Sequence, residues 1–354
     1  MKKVLITGSS GLIGSEAVTF FLNKKFKVYG IDNDLRSKLF GKKYSTKKFI
    51  KNQLKFKNFN FFNIDLINYK IVEKIFKKIK FDLIIHTAGQ PSHDWSAKDP
   101  VFDFKTNALA TVNLLQLTRL HCPKAVFIFT STNKVYGDLH KSKFRIRELK
   151  TRYEVFDKKN NLFSINENFS IDNSMHSPFG VSKASADLMV QEYGKYFKIK
   201  SATFRCGCIT GPNHQGAELH GFLSYLVKCV INNKIYKIYG YKGKQVRDNI
   251  HSYDLVKMFW EFYKKPGYGE IYNAGGGRQN SISIFEAIDI IKKRSNKNYK
   301  NFKIINQNRQ GDHIWYITDF SKFKKKYKNW KITKGLNKTI SEIIETLNKN
   351  KKIK

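Results

Sequence analysis

The chain opens on a short β-branched run, "KKVLITG". It passes straight into three glycines spaced three apart, Gly8, Gly11 and Gly14 in "TGSSGLIG", and then into the helical spacing of "GSEAVTFFLNKK". A strand that ends in glycines and opens a helix restricts this end of the molecule to few folds. Glycine lets the backbone approach a pyrophosphate, and the first turn of the helix, with its unpaired N–H groups, receives the anion. A glycine triplet alone is a weak signal. Here Asp32 closes the next strand-like run, "FKVYGID", at the place where a carboxylate grips a ribose 2′-hydroxyl. That carboxylate would repel a 2′-phosphate and so points to NAD over NADP, while Arg36 pulls the other way.

The pattern continues. "NFNFFNID", "FDLIIHTA", "AVFIFTST" and "KSATFRCG" read as further strands, and "YKIVEKIFKKIK", "DFKTNALATVNLLQLTRLH" and "HSPFGVSKASADLMVQEYGKYFK" as helices, the last with Ser177 near its start and Pro178 just inside. Near-continuous apolar strands alternating with helices imply an α/β, doubly wound parallel sheet of the Rossmann type, covered on both faces. After about Gly207 the pattern loosens into short helices, "GFLSYLVKCVINN" and "SIFEAIDIIKKR", among loops. The expected organisation is a dinucleotide-binding domain over 1–207, to which 247–263 returns, and a smaller, partly interleaved C-terminal substrate domain over 208–354. The charged, weakly periodic stretch from Leu139 to Met175 reads as a surface insertion near the site.

With 354 residues, 41% of them hydrophobic and 14% aromatic, the chain has ample material for a core. The two lysines before the first apolar run suggest a signal peptide, but Thr7, Gly8, Ser9 and Ser10 interrupt it, and no later stretch is apolar enough to span a membrane. A soluble, cytoplasmic protein is expected, with no membrane partner. Cys122, Cys206, Cys208 and Cys229 form no CxxC pair, so reduced thiols and no metal site are expected. The net charge of +38 first suggests nucleic acid. The lysines are scattered among Asn, Ile and Phe, however, which fits compositional drift and a preference for small anions; no nucleic-acid partner is expected.

These spacings resemble the extended short-chain dehydrogenase/reductase family, the nucleotide-sugar epimerases and dehydratases. "HTAGQPS" looks like that family's strand-four turn near the cofactor, Asn107 like its helix asparagine, and "STNKVYGD" like its catalytic serine/threonine strand. "FRCGCITGPN" resembles the turn beside the nicotinamide, "VRDNIHSYDLV" the arginine motif that binds the nucleotide diphosphate, and "RQGDHIWYITD" the C-terminal phosphate-binding arginine. The resemblance implies a cofactor, NAD, lined by Gly8, Gly11, Leu12, Ile13, Gly14, Asp32 and Asn33, then by Asp65, Leu66, Thr87, Ala88, Gln90, Asn107 and Lys183. It implies a nucleotide-sugar substrate met by His93, Tyr136, Asn213, Arg247 and Arg309, the two arginines on the diphosphate. Within the family, "HTAGQPSHDW", "STNKVYGD", "GPNHQGAELHGFLSYLVKC" and "GYKGKQVRDNIHSYD" look closest to the branch that inverts C2 of a CDP-linked deoxyhexose for surface polysaccharide. A homodimer through the helices around Asn107 and Lys183 is common among such relatives.

The family's proton machinery is a Ser/Thr, a Tyr and a Lys. By position, Thr132 fills the first role and Lys183 the last, but the tyrosine position is Phe179. A phenol becomes a base only when nearby positive charge lowers its pKa, and a phenyl ring has no proton to give. Another group then has to serve: His176 is the leading candidate, with His93, Asp94 and Tyr136 also near the motifs, or Thr132 with a water. Otherwise the chain binds without catalysing. Asn133 and Lys134 stand where the related 4,6-dehydratases carry an acid pair, which favours epimerisation or simple oxidation over loss of water. The alternatives are a dehydrogenase or decarboxylase of the same fold, or a non-catalytic NAD or nucleotide-sugar binding protein.

Overall fold

The structure is a computed structural model and describes residues 1–138, 144–157, 159–172, 174–218, 221–307 and 312–352. It divides into two compact units. The first gathers 1–135, 177–205 and 255–272; the second gathers 136–176, 206–254 and 273–354.

The first unit is built on a seven-stranded sheet. From one edge, the strands run Glu270–Ala274, Lys200–Cys206, Val126–Thr132, Leu83–His86, Lys3–Thr7, Lys27–Ile31 and Phe59–Phe62. The pairings on either side of Lys3–Thr7 and Leu83–His86 are parallel, as the apolar runs imply. Lys3–Thr7 lies between Lys27–Ile31 and Leu83–His86, so chain order reverses there, and ligands of doubly wound sheets bind outside the carboxyl ends of such strands. One face packs Leu5, Ile84 and Phe127 against Leu114 and Ala186 of two long helices. Elsewhere Phe21, on the helix Leu12–Asn23, meets the ring of Trp260 on the returning helix Ser252–Lys264.

The second unit holds smaller sheets. Val246–His251 pairs with Ser281–Ser283, Trp315–Tyr316 and Cys208–Thr210, and Tyr236–Tyr239 pairs with Phe302–Ile305. Its apolar core includes Leu226, Ile238, Ile288 and Ile343.

Three features differ from the sequence-based expectations. The stretch 136–176 falls in the second unit, not with 1–135. Its hairpin, Arg145–Glu148 with Tyr153–Phe156, is held there by Glu154, which accepts from the Trp315 indole at 3.1 Å and pairs with Arg278 at 3.0 Å. The segment that returns to the first unit is 255–272 and not 247–263: 247–254 lies in the second unit. The helix expected from Asp103 to His121 is also interrupted: Pro100–Phe104 passes through a π turn, Lys105–Leu109, before Ala110–His121. The turn carries Asn107, and such turns concentrate at functional sites.

Candidate active site

The first strand runs into Gly8, whose φ of +65° suits glycine and strains any residue with a Cβ. Space is equally restrictive. A Cβ on Gly8 would lie 2.8 Å from the Ala88 nitrogen, and one on Gly14 would collide with the Gly8 carbonyl oxygen. Gly11 is different: a Cβ there would meet the Gly8 oxygen alone, at 3.2 Å. Gly11 caps Leu12–Asn23 without a side chain, and the half-buried Leu12 and Ile13 follow in the helix's first turn. Bare glycine backbone at the start of a helix lets a pyrophosphate approach the first-turn N–H groups, so the turn fits a dinucleotide.

Asp32 is aimed at that turn. Its carboxylate accepts the Ser10 N–H at 3.0 Å and the Asp34 N–H at 2.8 Å. Beside it the Asn33 amide donates to Asp65 at 3.1 Å, and Asp65 accepts the Ile67 N–H, while Leu66 is buried in the core. Sequence reasoning missed Asp34, which accepts the Ser45 hydroxyl at 2.6 Å and the Thr46 N–H at 3.0 Å. Burial pushes its pKa up, but these hydrogen bonds outweigh burial and hold it below the usual range. Thr46 bonds the Ser10 hydroxyl at 2.7 Å, and Gln53 donates to the Ser9 carbonyl at 2.9 Å, so the stretch after the second strand is tied to the glycine turn. A lone Asp followed by Ser and Thr at irregular spacing carries no sequence signal for this.

After Leu83–His86 the chain turns through Thr87, Ala88 and Gln90. Thr87 donates to the Thr7 carbonyl at 2.7 Å. The Asn107 side-chain oxygen accepts the Gln90 N–H at 2.9 Å, and its side-chain nitrogen reaches Gln90 O, Asp103 and Ser182. The Gln90 side chain donates to Asp103 and to the Ser92 carbonyl, both at 2.7 Å. Gln90 and Asn107, expected on the cofactor, therefore bond the protein and set the shape of this turn. Burial raises the Asp103 carboxyl above its usual range, with the hydrogen bonds from Ser182, Gln90 and Asn107 opposing.

Lys183 is buried, donates to the Thr130 carbonyl at 2.7 Å and lies 4.2 Å from the Phe129 ring centre. A Cβ on Gly89 would sit 2.7 Å from Asn107 Oδ1 and 3.9 Å from Lys183 Nζ, so lysine and asparagine converge on this glycine. His86, fully buried between the Thr7 and Thr111 hydroxyls, is held at about 3 by burial and the nearby Lys183 charge, and so is neutral. Thr132 ends its strand with its hydroxyl toward Asn133 at 3.3 Å, an amide where a dehydratase would need an acid.

Phe179 is buried on the long helix Ser177–Phe197, and its ring packs edge-on against His93, centres 4.9 Å apart. His93 Nδ1 lies 2.9 Å from the Ser177 hydroxyl, which also accepts the Gly180 N–H at 3.4 Å. Ser177 has a φ of +62°, and His176 precedes it, half-buried. Deeper in the unit Asp187 accepts Ser131 at 2.7 Å, Gln191 at 2.7 Å and both Arg205 Nε and Nη2 at 3.1 Å.

The second unit carries the expected substrate residues. Tyr136 is fully buried and donates to Asn273 at 2.7 Å, so its hydroxyl is engaged within that unit. Asn213 is half-buried in the turn after Cys208–Thr210. Arg247 donates to Val246 O, to Asp312 at 3.1 Å and to His313 O. Those bonds fix the plane of its guanidinium, and Asp312 offsets part of its charge. Arg309 lies outside the described residues. Among the described residues no group of three or more His, Cys, Asp or Glu could hold a metal ion, and no helix is long and apolar enough to cross a membrane.

Residues 4–275 match the model of the NAD dependent epimerase/dehydratase family. The chain is 29% identical over 329 residues to the CDP-paratose 2-epimerase of Salmonella typhi, covering 90% of this chain and 92% of that one. Among solved structures it resembles the UDP-glucuronic acid 4-epimerase of Bacillus cereus in complex with UDP-glucuronic acid and NAD, at a TM-score of 0.80 and 23% identity, covering 98% of this chain and 99% of that one. It resembles equally the dTDP-glucose 4,6-dehydratase DesIV of Streptomyces venezuelae, at a TM-score of 0.80 and 19% identity over 99% and 98% of the two chains. The likeness to these two shows the fold.

Proposed function

Because the chain belongs to the NAD dependent epimerase/dehydratase family, we propose that it is an NAD-dependent epimerase of a nucleotide-linked deoxysugar, inverting C2 of a CDP-hexose through a transient ketone. The observation that carries the reading is the glycine turn with Asp32 at one end and Lys183 by Gly89 at the other. The C2 position and the CDP moiety draw support from the likeness to the Salmonella typhi enzyme and from Asn133, which leaves elimination without an acid at that position.

Bound NAD would accept a hydride from the sugar carbon and return it to the other face. Gly8, Gly11 and Gly14 would admit its pyrophosphate, Asp32 its adenosine ribose, and Lys183 its nicotinamide ribose. Thr132 would hold the sugar oxygen, and Arg247 would meet the diphosphate. The exposed apolar residues Val101, Phe104, Val181 and Leu188 on the helices near Asn107 and Lys183 would pair two copies as a homodimer.

One observation favours a second reading. Phe179 cannot transfer a proton, so a chain that binds NAD and nucleotide sugar without turnover is the alternative. Incubation with CDP-paratose, followed by NMR of the sugar protons, separates the two. Inversion at C2 supports the epimerase. Bound ligand with no product, across CDP-, UDP- and dTDP-sugars, supports the binding protein.

A further inference from the structure

We propose that His93, held by the Ser177 hydroxyl, carries the proton transfer that Phe179 cannot; the assignment rests on the epimerase reading above.

Three observations converge. The imidazole of His93 is packed on the Phe179 ring, centres 4.9 Å apart. It therefore lies beside the residue that would have carried a phenol, and Phe179 sits one helical turn from Lys183. The ring is also held. Its Nδ1 is 2.9 Å from Ser177 Oγ, and that oxygen already accepts the Gly180 N–H. A hydroxyl oxygen accepts more than one hydrogen bond, so Nδ1–H can donate to it beside the Gly180 N–H; that tautomer, read by the ¹⁵N measurement below, carries the basic lone pair on Nε2. Finally, Ser177 keeps a φ of +62° at the first residue of a helix, a conformation that costs energy for a residue with a Cβ. The same residue puts the hydroxyl on the histidine. A buried phenyl ring packed on an imidazole, itself oriented by a strained serine, is the geometry of a base fixed by a second group.

In the forward step the sugar O–H bond breaks toward His93 Nε2. Bound NAD, the two-electron oxidant, would take the adjacent hydrogen with its electron pair as the C=O bond forms, and would return it to the opposite face of the carbonyl carbon. In that return step the His93 imidazolium gives the proton back to oxygen. Proton and electron pair are both restored, so the cycle is redox-neutral. Ser177 is a positioning residue in this scheme.

The test uses the full chain with its bound NAD, and CDP-paratose as the sugar. His93→Ala is expected to lower kcat by about 10²-fold or more with KM little changed, and added imidazole is expected to restore part of the rate through the space left beside Phe179. Ser177→Gly releases the φ strain while deleting the hydroxyl. It is expected to melt no lower than wild type and to lose kcat, whereas a purely structural serine would leave kcat alone. Independently of turnover, ¹⁵N shifts of the His93 ring should report the Nδ1–H tautomer in wild type and a shift away from it in Ser177→Gly. Wild-type rate in His93→Ala, or an Nε2–H ring in wild type, overturns the assignment and leaves the epimerase reading standing. A wild-type chain that inverts no sugar overturns both.

Discussion

The ammonium of Lys183 donates to the backbone carbonyl of Thr130 at 2.7 Å. This bond gives the lysine a place in the fold that owes nothing to residue 179, and it accounts for a lysine that persists one helical turn from a phenylalanine. Lys183→Met is expected to leave a folded protein, since the aliphatic stem remains, at a cost of about 1–3 kcal/mol for the lost charged hydrogen bond. The same change should weaken NAD by about tenfold or more, the equivalent of 1.4 kcal/mol. Calorimetric titration with NAD checks this; unchanged affinity would remove Lys183 from the cofactor site.

Gly8 and Gly11 are expected to respond in opposite ways. Gly8→Ala meets both a positive φ and the Ala88 nitrogen at 2.8 Å. A loss of at least about 2 kcal/mol in urea unfolding follows. Gly11→Ala meets the Gly8 oxygen at 3.2 Å, which a small shift relieves. It should cost under about 1 kcal/mol while lowering NAD affinity, because the methyl stands where the pyrophosphate approaches the helix. Equal loss of stability in the two variants would contradict the milder crowding and negative φ at Gly11.

The strands, the helices and the glycine turn were legible because their signals are local: β-branched runs, a 3.6-residue spacing, and glycines at fixed intervals. Asp32 was legible for the same reason. Ser177 and Asp103 were not. Their partners, His93 and Ser182, lie 84 and 79 residues away, and serine and aspartate in a loop have many bland uses. The π turn at Lys105–Leu109 was hidden because helical spacing continues on both sides of it. His93 stands out in the sequence as a substrate residue by resemblance and as one of several candidate bases, and only folding brings it onto Phe179.

Asp187 and Arg205 form a buried pair, 1% and 4% exposed, that also engages Ser131, the neighbour of Thr132. Arg205→Met would strand a buried carboxylate and is expected to cost about 3–5 kcal/mol. Replacing both partners with Met and Leu should cost less than the single change, because no unpaired charge remains. A double-mutant cycle in urea measures this. Simple additivity would show the two groups to be independent.

Val181 and Leu188 lie seven residues apart on one helix and are about half exposed. If this face pairs two copies, Val181→Glu with Leu188→Glu is expected to give a monomer of unchanged melting temperature by light scattering. A monomeric wild type would remove the dimer from the proposed function.

Asp248 gives a pH signature of known sign. It is fully buried on Val246–His251, accepts the Gly277 N–H at 2.9 Å, and is pushed up to about 6 by burial, which outweighs that hydrogen bond. The unfolded carboxyl titrates near 3.8. Between these values the folded chain holds a proton that the unfolded chain has released, so this group's contribution is fully present below about pH 3.8 and is lost as pH rises through about 6. Two pKa units correspond to about 3 kcal/mol as an upper figure. Asp248→Asn cannot ionise and keeps an oxygen to accept the Gly277 N–H. Relative to wild type it should therefore gain stability as pH rises from about 4 to 7, by up to that amount, and run parallel above it. Urea unfolding of both proteins across this range checks the difference, which cancels the opposite trend of carboxylates such as Asp34. Parallel curves throughout would mean that Asp248 is ionised in the folded chain at all these pH values, with its charge stabilised by the Gly277 N–H.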